Sequence, residues 1–346
     1  MSTFFEAELR EQPAVLARLL DSGRPQAEEI AARIRAHAPH FAVLAARGSS
    51  DNAARYGQYL LGARNSLTAA LAAPSLLTLY RARPRMGAAL AVGLSQSGQS
   101  PDVVAVIEEA RRQGAVTVAL TNDTASPLAQ AAEWCLPLGA GPERAVPATK
   151  TYTAQLVAMA LLSAALDDDA RAWDELARLP ALVSETLEAG RGPAAAAAAT
   201  AGLERLLVVG RGYNLATAFE IALKLKETCG LVADPYSGAD FLHGPVALLE
   251  EGASLLAVAP DGAAFADVDA VAALARPRGA RLIAISDRRE LLERAAIALP
   301  LPPGVPEWLS PVPAVVPGQL LTLALARARG RSADAPAGLN KVTLTR

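Results

Sequence analysis

The chain has 346 residues, 52% of them hydrophobic and 20% charged, which is enough apolar content to bury one large domain or two ordinary ones, and two suits its length better. Its 33 basic and 35 acidic residues are interspersed and leave a net charge of −2, so it lacks the basic face that duplex nucleic acid requires and the basic amphipathic segment that a membrane surface requires; a small-molecule partner is expected. Cys135 and Cys229 lie too far apart to form a ligand pair, and the amino terminus carries acids where a signal peptide carries basic residues, so a reducing, cytoplasmic setting is expected, with no disulfide, no metal site and no spanning segment.

Residues 1–27 read as a helical segment, and residues 28–170 as a first α/β domain. Within that domain "FAVLAARGSS" (41–50), "GAALAVGLSQSG" (87–98), "GAVTVALTND" (114–123) and "AAEWCLPL" (131–138) are short apolar runs closed by small polar residues and separated by helix-length segments. Runs that are apolar on both faces and alternate with helices are the pattern of a buried parallel sheet. Residues 171–196, interrupted by Pro180, Gly190, Gly192 and Pro193, read as a connecting helix and a boundary. The same four runs then return in residues 197–330: Gly48 corresponds to Gly212, Gly87 to Gly252, Gly114 to Gly279 and Leu136 to Leu299, at offsets of 164, 165, 165 and 163. So constant a period, too long for a solenoid, marks a duplicated domain. Residues 331–346 form a tail.

The loop "SQSGQS" (95–100) lies between the carboxyl end of one predicted strand and the amino end of a predicted helix. Free backbone N–H groups and the helix dipole favour an anion there. Ser95, Ser97 and Ser100 add hydroxyls, Gln96 adds an amide, Gly98 lets the backbone close, and no cation is needed. A plain turn and cap would use some of the same residues, but the equivalent loop of the second half, "APDGAAF", keeps the turn and drops the serines. That divergence assigns phosphate binding to the first half. Two further loops, "ARGSSDN" (46–52) and "RAVPATKTYT" (144–153), are expected to converge on the same crevice at the carboxyl ends of the strands.

The second half carries the ionisable groups. In "NLATAFEIALKLKETCGL" (214–231), read as one helix, Glu220, Lys224 and Glu227 share a face, whereas Lys226 points elsewhere. A solvated salt-bridge ladder would look the same, but the remaining residues are almost all apolar, which places that face at a cleft. His243 precedes Gly-Pro in "DFLHGP", a turn that holds an imidazole at a loop tip, whereas His37 and His40 read as surface. A carboxylate and an imidazole near a phosphate cradle suit proton transfer on a sugar phosphate. In the tail, Leu339, Val342 and Leu344 are expected to dock and to hold Lys341 where its amine can pair with a phosphate or form an imine.

Together "SQSGQS", "PATKTYTAQL", "GRGYNLATAFEIALKLKE", "FLHGP" and "LNKVT" resemble the isomerase portion of glutamine–fructose-6-phosphate aminotransferase and the wider sugar isomerase (SIS) domain family. The resemblance implies an α/β fold of two tandem SIS domains, each a parallel five-stranded sheet flanked by helices, in a homodimer with shared active sites. It further implies that Ser95, Gln96, Ser97 and Ser100 bind the sugar phosphate, with Ser50 and the backbone at Val146 at the sugar. Glu227 would shuttle a proton between C1 and C2 with Lys224 supporting it, His243 would open the ring, in some arrangements from the other subunit, and Lys341 would be the Schiff-base lysine. Departures stand at Arg47, where the family carries Cys in a Cys-Gly-Thr-Ser type motif, and at Gln99-Ser100, where it carries Glu-Thr. Ser2 and the lack of a glutaminase domain in the sequence lead to the expectation of an isomerising glucosamine-6-phosphate deaminase with no metal or organic cofactor. A deglycase, another aldose/ketose phosphate isomerase and a non-catalytic sugar-phosphate sensor are the alternatives.

Overall fold

A computed structural model of the chain describes residues 3–167, 169–190, 192 and 202–342. Among the described residues there are ten strands: β1 (Phe41–Ala45), β2 (Ala69–Leu71), β3 (Ala89–Ser95), β4 (Val116–Thr121), β5 (Trp134–Pro137), β6 (Arg205–Gly210), β7 (Val232–Ser237), β8 (Ser254–Val258), β9 (Arg281–Ser286) and β10 (Ile297–Pro300). They form two five-stranded sheets, of order β2-β1-β3-β4-β5 and β10-β9-β8-β6-β7, and every pairing is parallel. Read from its other edge, the second sheet repeats the first strand for strand. The expected duplication of a parallel five-stranded α/β unit is therefore what the chain builds.

Burial explains the strand sequences. All seven residues of β3 and all six of β4 are buried, because helices cover both faces of the sheet, so these strands are mostly apolar and show no inside–outside alternation of burial, their few polar residues, Ser95, Thr117 and Thr121, being buried as well. On one face of the first sheet, Ala89 and Ala91 pack against Val103, Val106 and Ile107 of the helix Pro101–Arg112. In the second sheet Leu255, Ala257 and Val209 pack against Val268 and Val271 of the helix Phe265–Ala273. The helix Lys150–Asp167 is buried on every side from Lys150 to Ala165, which accounts for its nearly uniform apolar character. Among the described residues no helix is long and apolar enough to cross a membrane.

Contacts divide the chain into two compact units. One comprises residues 14–143, 150–178 and 340–346 and holds the first sheet; the other comprises 1–13, 144–149 and 179–339 and holds the second. The leading helix, Phe4–His37, contributes its first turns to one unit and the remainder to the other. Among the described residues, three helices lie between the sheets in sequence, Lys150–Asp167, Ala170–Ala177 and Leu179–Ala189, with Pro180 in the first turn of the third, where a missing N–H costs nothing. The end of the expected connecting segment, 193–196, lies outside the described residues.

The helix that carries Glu220 and Lys224, Leu215–Lys224, packs against the helix Pro311–Ala328, where Gly318 meets the buried Ile221 side chain so closely that an added Cβ would collide with it. Gly318→Ala gains helix propensity of about 1 kcal/mol. It also overpacks a β-branched side chain that has no room to turn, at a cost of about 1–3 kcal/mol. A net loss in unfolding free energy is expected, read as a lower midpoint in urea with an unchanged slope.

Candidate functional site

In the first unit the chain leaves β3 at Ser95 and re-enters helix at Pro101. Gly98 sits at φ +64°, and a Cβ there would collide with Ser126, so only glycine closes this loop. The loop is fastened from within: the Gly98 N–H donates to Ser95 Oγ (3.1 Å), the Gln99 N–H to Ser97 Oγ (3.3 Å), and the Asn122 N–H to the Gln96 carbonyl (3.1 Å). Ser100 occupies the N-cap position, yet its hydroxyl caps nothing. Among the described residues, the hydroxyls of Ser97 and Ser100 and the amide of Gln96 thus donate to no protein group, which leaves them for a ligand.

The neighbouring loop, after β1, is tied to this one. Arg47 Nε donates to Asp102 Oδ2 at 2.7 Å, and Asp102 is wholly buried in the first turn of the helix Pro101–Arg112. Gly48 adopts φ +56°, and the buried Ser50 Oγ accepts a 2.8 Å hydrogen bond from Gln155 Nε2 on the helix Lys150–Asp167. The buried Glu143 in the same unit accepts from the Thr151 N–H (3.1 Å), from Thr151 Oγ1 (2.7 Å) and from Lys341 Nζ (2.6 Å). The tail lysine is therefore held by charge. Leu339 and Val342 remain exposed, contrary to the expected apolar docking, because a buried carboxylate that needs a cation is the stronger anchor. Leu344 lies outside the described residues.

The expected third loop does not stay whole. Residues 144–149 belong to the other unit, where Glu8 accepts the N–H groups of Arg144 and Ala145, and the Val146 N–H donates to the Asp334 carbonyl at 2.8 Å. With its N–H engaged, Val146 can offer a ligand only its carbonyl.

In this second unit Lys224 Nζ lies 2.5 Å from Glu227 Oε2 and 3.6 Å from Glu220 Oε1. Lys224 and Glu220 are buried and the Glu227 side chain is 23% exposed, so the trio is no solvated ladder. One expectation is corrected here. The α-helix ends at Lys224 and Leu225–Cys229 form a π turn closed by Gly230 at φ +59°. A π turn advances less per residue than an α turn, so Lys226 does not point away but lines the same cavity of about 520 Å3 as Glu227, Thr228, Arg331 and Leu339. His243 ends the short helix Gly238–Leu242 before Gly244 at φ +141°; its ring is exposed and bonds to no side chain among the described residues.

The duplicate loop of this unit supplies an internal control. Between β8 and the helix Phe265–Ala273, the N–H groups of Ala263 and Ala264 donate to the Glu307 carboxylate at 2.9 and 3.0 Å, and a Cβ on Gly262 would collide with that side chain. At this topological position the second half places its own carboxylate on the free N–H groups, whereas the first half carries no such internal carboxylate among the described residues. Sequence reasoning missed Glu307, Glu143 and the Arg47–Asp102 pair because each partner is distant in sequence and no periodicity announces it.

The SIS-domain model matches residues 37–165 and 201–314, one copy on each sheet and together most of the chain. The chain belongs to the SIS-domain family. Among relatives of known name, an isomerising glutamine–fructose-6-phosphate aminotransferase of Pyrococcus horikoshii is 31% identical over 98% of this SIS chain and 57% of its own length. The chain spans about half the length of the curated relatives it matches. Among solved structures, a Silicibacter pomeroyi DSS-3 protein provisionally assigned to the phosphosugar isomerases is 36% identical, with a TM-score of 0.87 over 96% of this chain and 100% of its own. A glucosamine-6-phosphate deaminase of Thermotoga maritima shares the fold (TM-score 0.81 over 99% of this chain and 100% of its own) at 18% identity.

Removing the buried cation tests the trio. Lys224→Met takes away the positive charge beside Glu220 and is expected to cost about 3–5 kcal/mol, the range for breaking one side of a buried pair. Adding Glu220→Gln should recover part of that loss, as a double-mutant cycle in urea would show; equal and additive losses would contradict the coupling.

Proposed function

We propose that this SIS protein is a phosphosugar isomerase of deaminating type, which converts glucosamine 6-phosphate and water into fructose 6-phosphate and ammonia. The observation that carries the reading is the pairing, in one chain, of an open hydroxyl cradle after β3 with a carboxylate, Glu227, clamped by a buried lysine at a cavity wall. The first part fits a phosphate and the second fits carbon acid chemistry.

In this reading Ser95, Gln96, Ser97 and Ser100 hold the phosphate, and Ser50 and the Val146 carbonyl face the sugar. His243 passes a proton to the ring oxygen and opens the pyranose; its exposed ring suits service at the site of a second subunit in a homodimer. Glu227, directed by Lys224, removes the proton from C2 of the open aldehyde and returns it at C1, which turns the C2 amine into a C2 imine. Lys341, released from Glu143 as the free amine, adds to C2 and expels ammonia to form its own imine, which water then hydrolyses to the ketone, regenerating the lysine. Each step conserves atoms, and no oxidant or reductant is consumed.

An ammonia-release assay on glucosamine 6-phosphate, other hexosamine 6-phosphates and fructose-6-phosphate-linked amines tests the proposal. Release from glucosamine 6-phosphate is expected; release only from the linked amines would make the protein a deglycase, and binding without turnover a sensor. Glu227→Gln should lower kcat by about 100-fold or more with little change in KM, as loss of a general base does. Ser97→Ala should instead raise KM by about 10-fold, the effect of one lost hydrogen bond to a charged group.

A further inference from the structure

Asp102 poses a problem for the cradle. It is wholly buried in the first turn of the helix Pro101–Arg112, two residues beyond Ser100, and its carboxylate would repel a phosphate dianion bound at residues 95–100. Arg47 answers that charge. Its Nε donates to Asp102 Oδ2 at 2.7 Å, while Asp102 Oδ1 accepts the Val103 N–H at 2.9 Å. Among the described residues this is the one partner of the Arg47 side chain, so its two Nη groups remain open, and the side chain is 49% exposed. β1 and β3 are adjacent parallel strands, so the loop that carries Arg47 and the cradle loop emerge side by side at the same sheet edge.

We propose that Arg47 is the cationic arm of the phosphate cradle: Asp102 anchors the guanidinium through Nε and turns its two Nη groups toward the phosphate of the substrate. The inference rests on the reading of residues 95–100 as the phosphate site. A guanidinium already fixed by a buried carboxylate has lost its rotamer freedom before the ligand arrives, and its fork matches two phosphate oxygens. Arg47 stands where the resembling family carries cysteine, so the arm is a property of this chain's own loop.

The alternative is that Arg47 only neutralises Asp102, and a double variant separates the two. In Arg47→Met/Asp102→Asn both charges vanish, so a purely neutralising role predicts parental affinity for inorganic phosphate, whereas the arm predicts binding about 10- to 100-fold weaker. Calorimetric titration of the full chain with inorganic phosphate reads this without any turnover, beside thermal unfolding to confirm that the variant folds. Arg47→Lys, which keeps the charge and loses the fork, should fall between parent and double variant. Affinity within about twofold of the parent in the double variant overturns the arm. If Ser97→Ala weakens binding in the same titration while the double variant does not, the cradle stands and the arm falls. If the parent binds no phosphate, both fall. Weakened phosphate binding with no ammonia release in any assay would leave the arm standing and remove the deaminase reading.

Discussion

Parallel pairing is the constraint from which the rest of this protein follows. A parallel strand cannot be reached by a tight turn, so every connection crosses over the sheet, usually as a helix, and both faces become covered. The strands then have to be largely apolar, as β3 and β4 are apart from Ser95, Thr117 and Thr121, and most polar chemistry is driven to the loops at the carboxyl edge. There the free N–H groups of helix amino termini and the side chains of adjacent loops meet. The fold thus separates stability from function by position: the strands supply the apolar core with a few buried hydroxyls such as Thr117 and Ser286, and the groups proposed for binding gather in the loops.

Each unit also contains buried charge, and each charge is held by a partner. Lys224 lies between Glu220 and Glu227, Asp102 is met by Arg47, and Glu143 is met by Lys341 and Thr151. Such pairs add little net stability, since desolvation offsets most of their attraction, but losing one member is costly. Their effect is orientation. A carboxylate gripped by a buried ammonium keeps its direction, and a guanidinium pinned at Nε presents its remaining donors to solvent in a fixed plane.

The two halves show how a duplicated fold divides its tasks. Both keep the strand, the glycine-bearing turn and the helix that follows it. In the first half serines line the turn and leave donors available. In the second, Glu307 reaches into the turn and satisfies the N–H groups of Ala263 and Ala264, so the position becomes part of the scaffold. That half is left to carry the helix of Glu220 and Lys224 and the π turn beyond it, which brings Glu227 and Lys226 to one cavity wall.

The sequence by itself determined the architecture, because a sheet buried on both faces imposes an apolar run on every central strand and the duplication repeats those runs about 165 residues apart. It also singled out the cradle serines and the Glu220, Lys224, Glu227 face, since loop chemistry and helical spacing are local properties. The edge strands β2 and β7 escaped that reading: one has three residues, and the other includes Asp234 and Pro235, which only an edge tolerates. Tertiary structure alone decided that residues 144–149 leave the first unit, that Lys341 rests on Glu143, that Glu307 fills the second cradle and that Arg47 leans on Asp102. Each of these joins groups from 43 to 198 residues apart or reassigns a loop between units. Long-range pairing of charges depends on which loops the sheet order makes neighbours, and no local pattern of residues encodes that order.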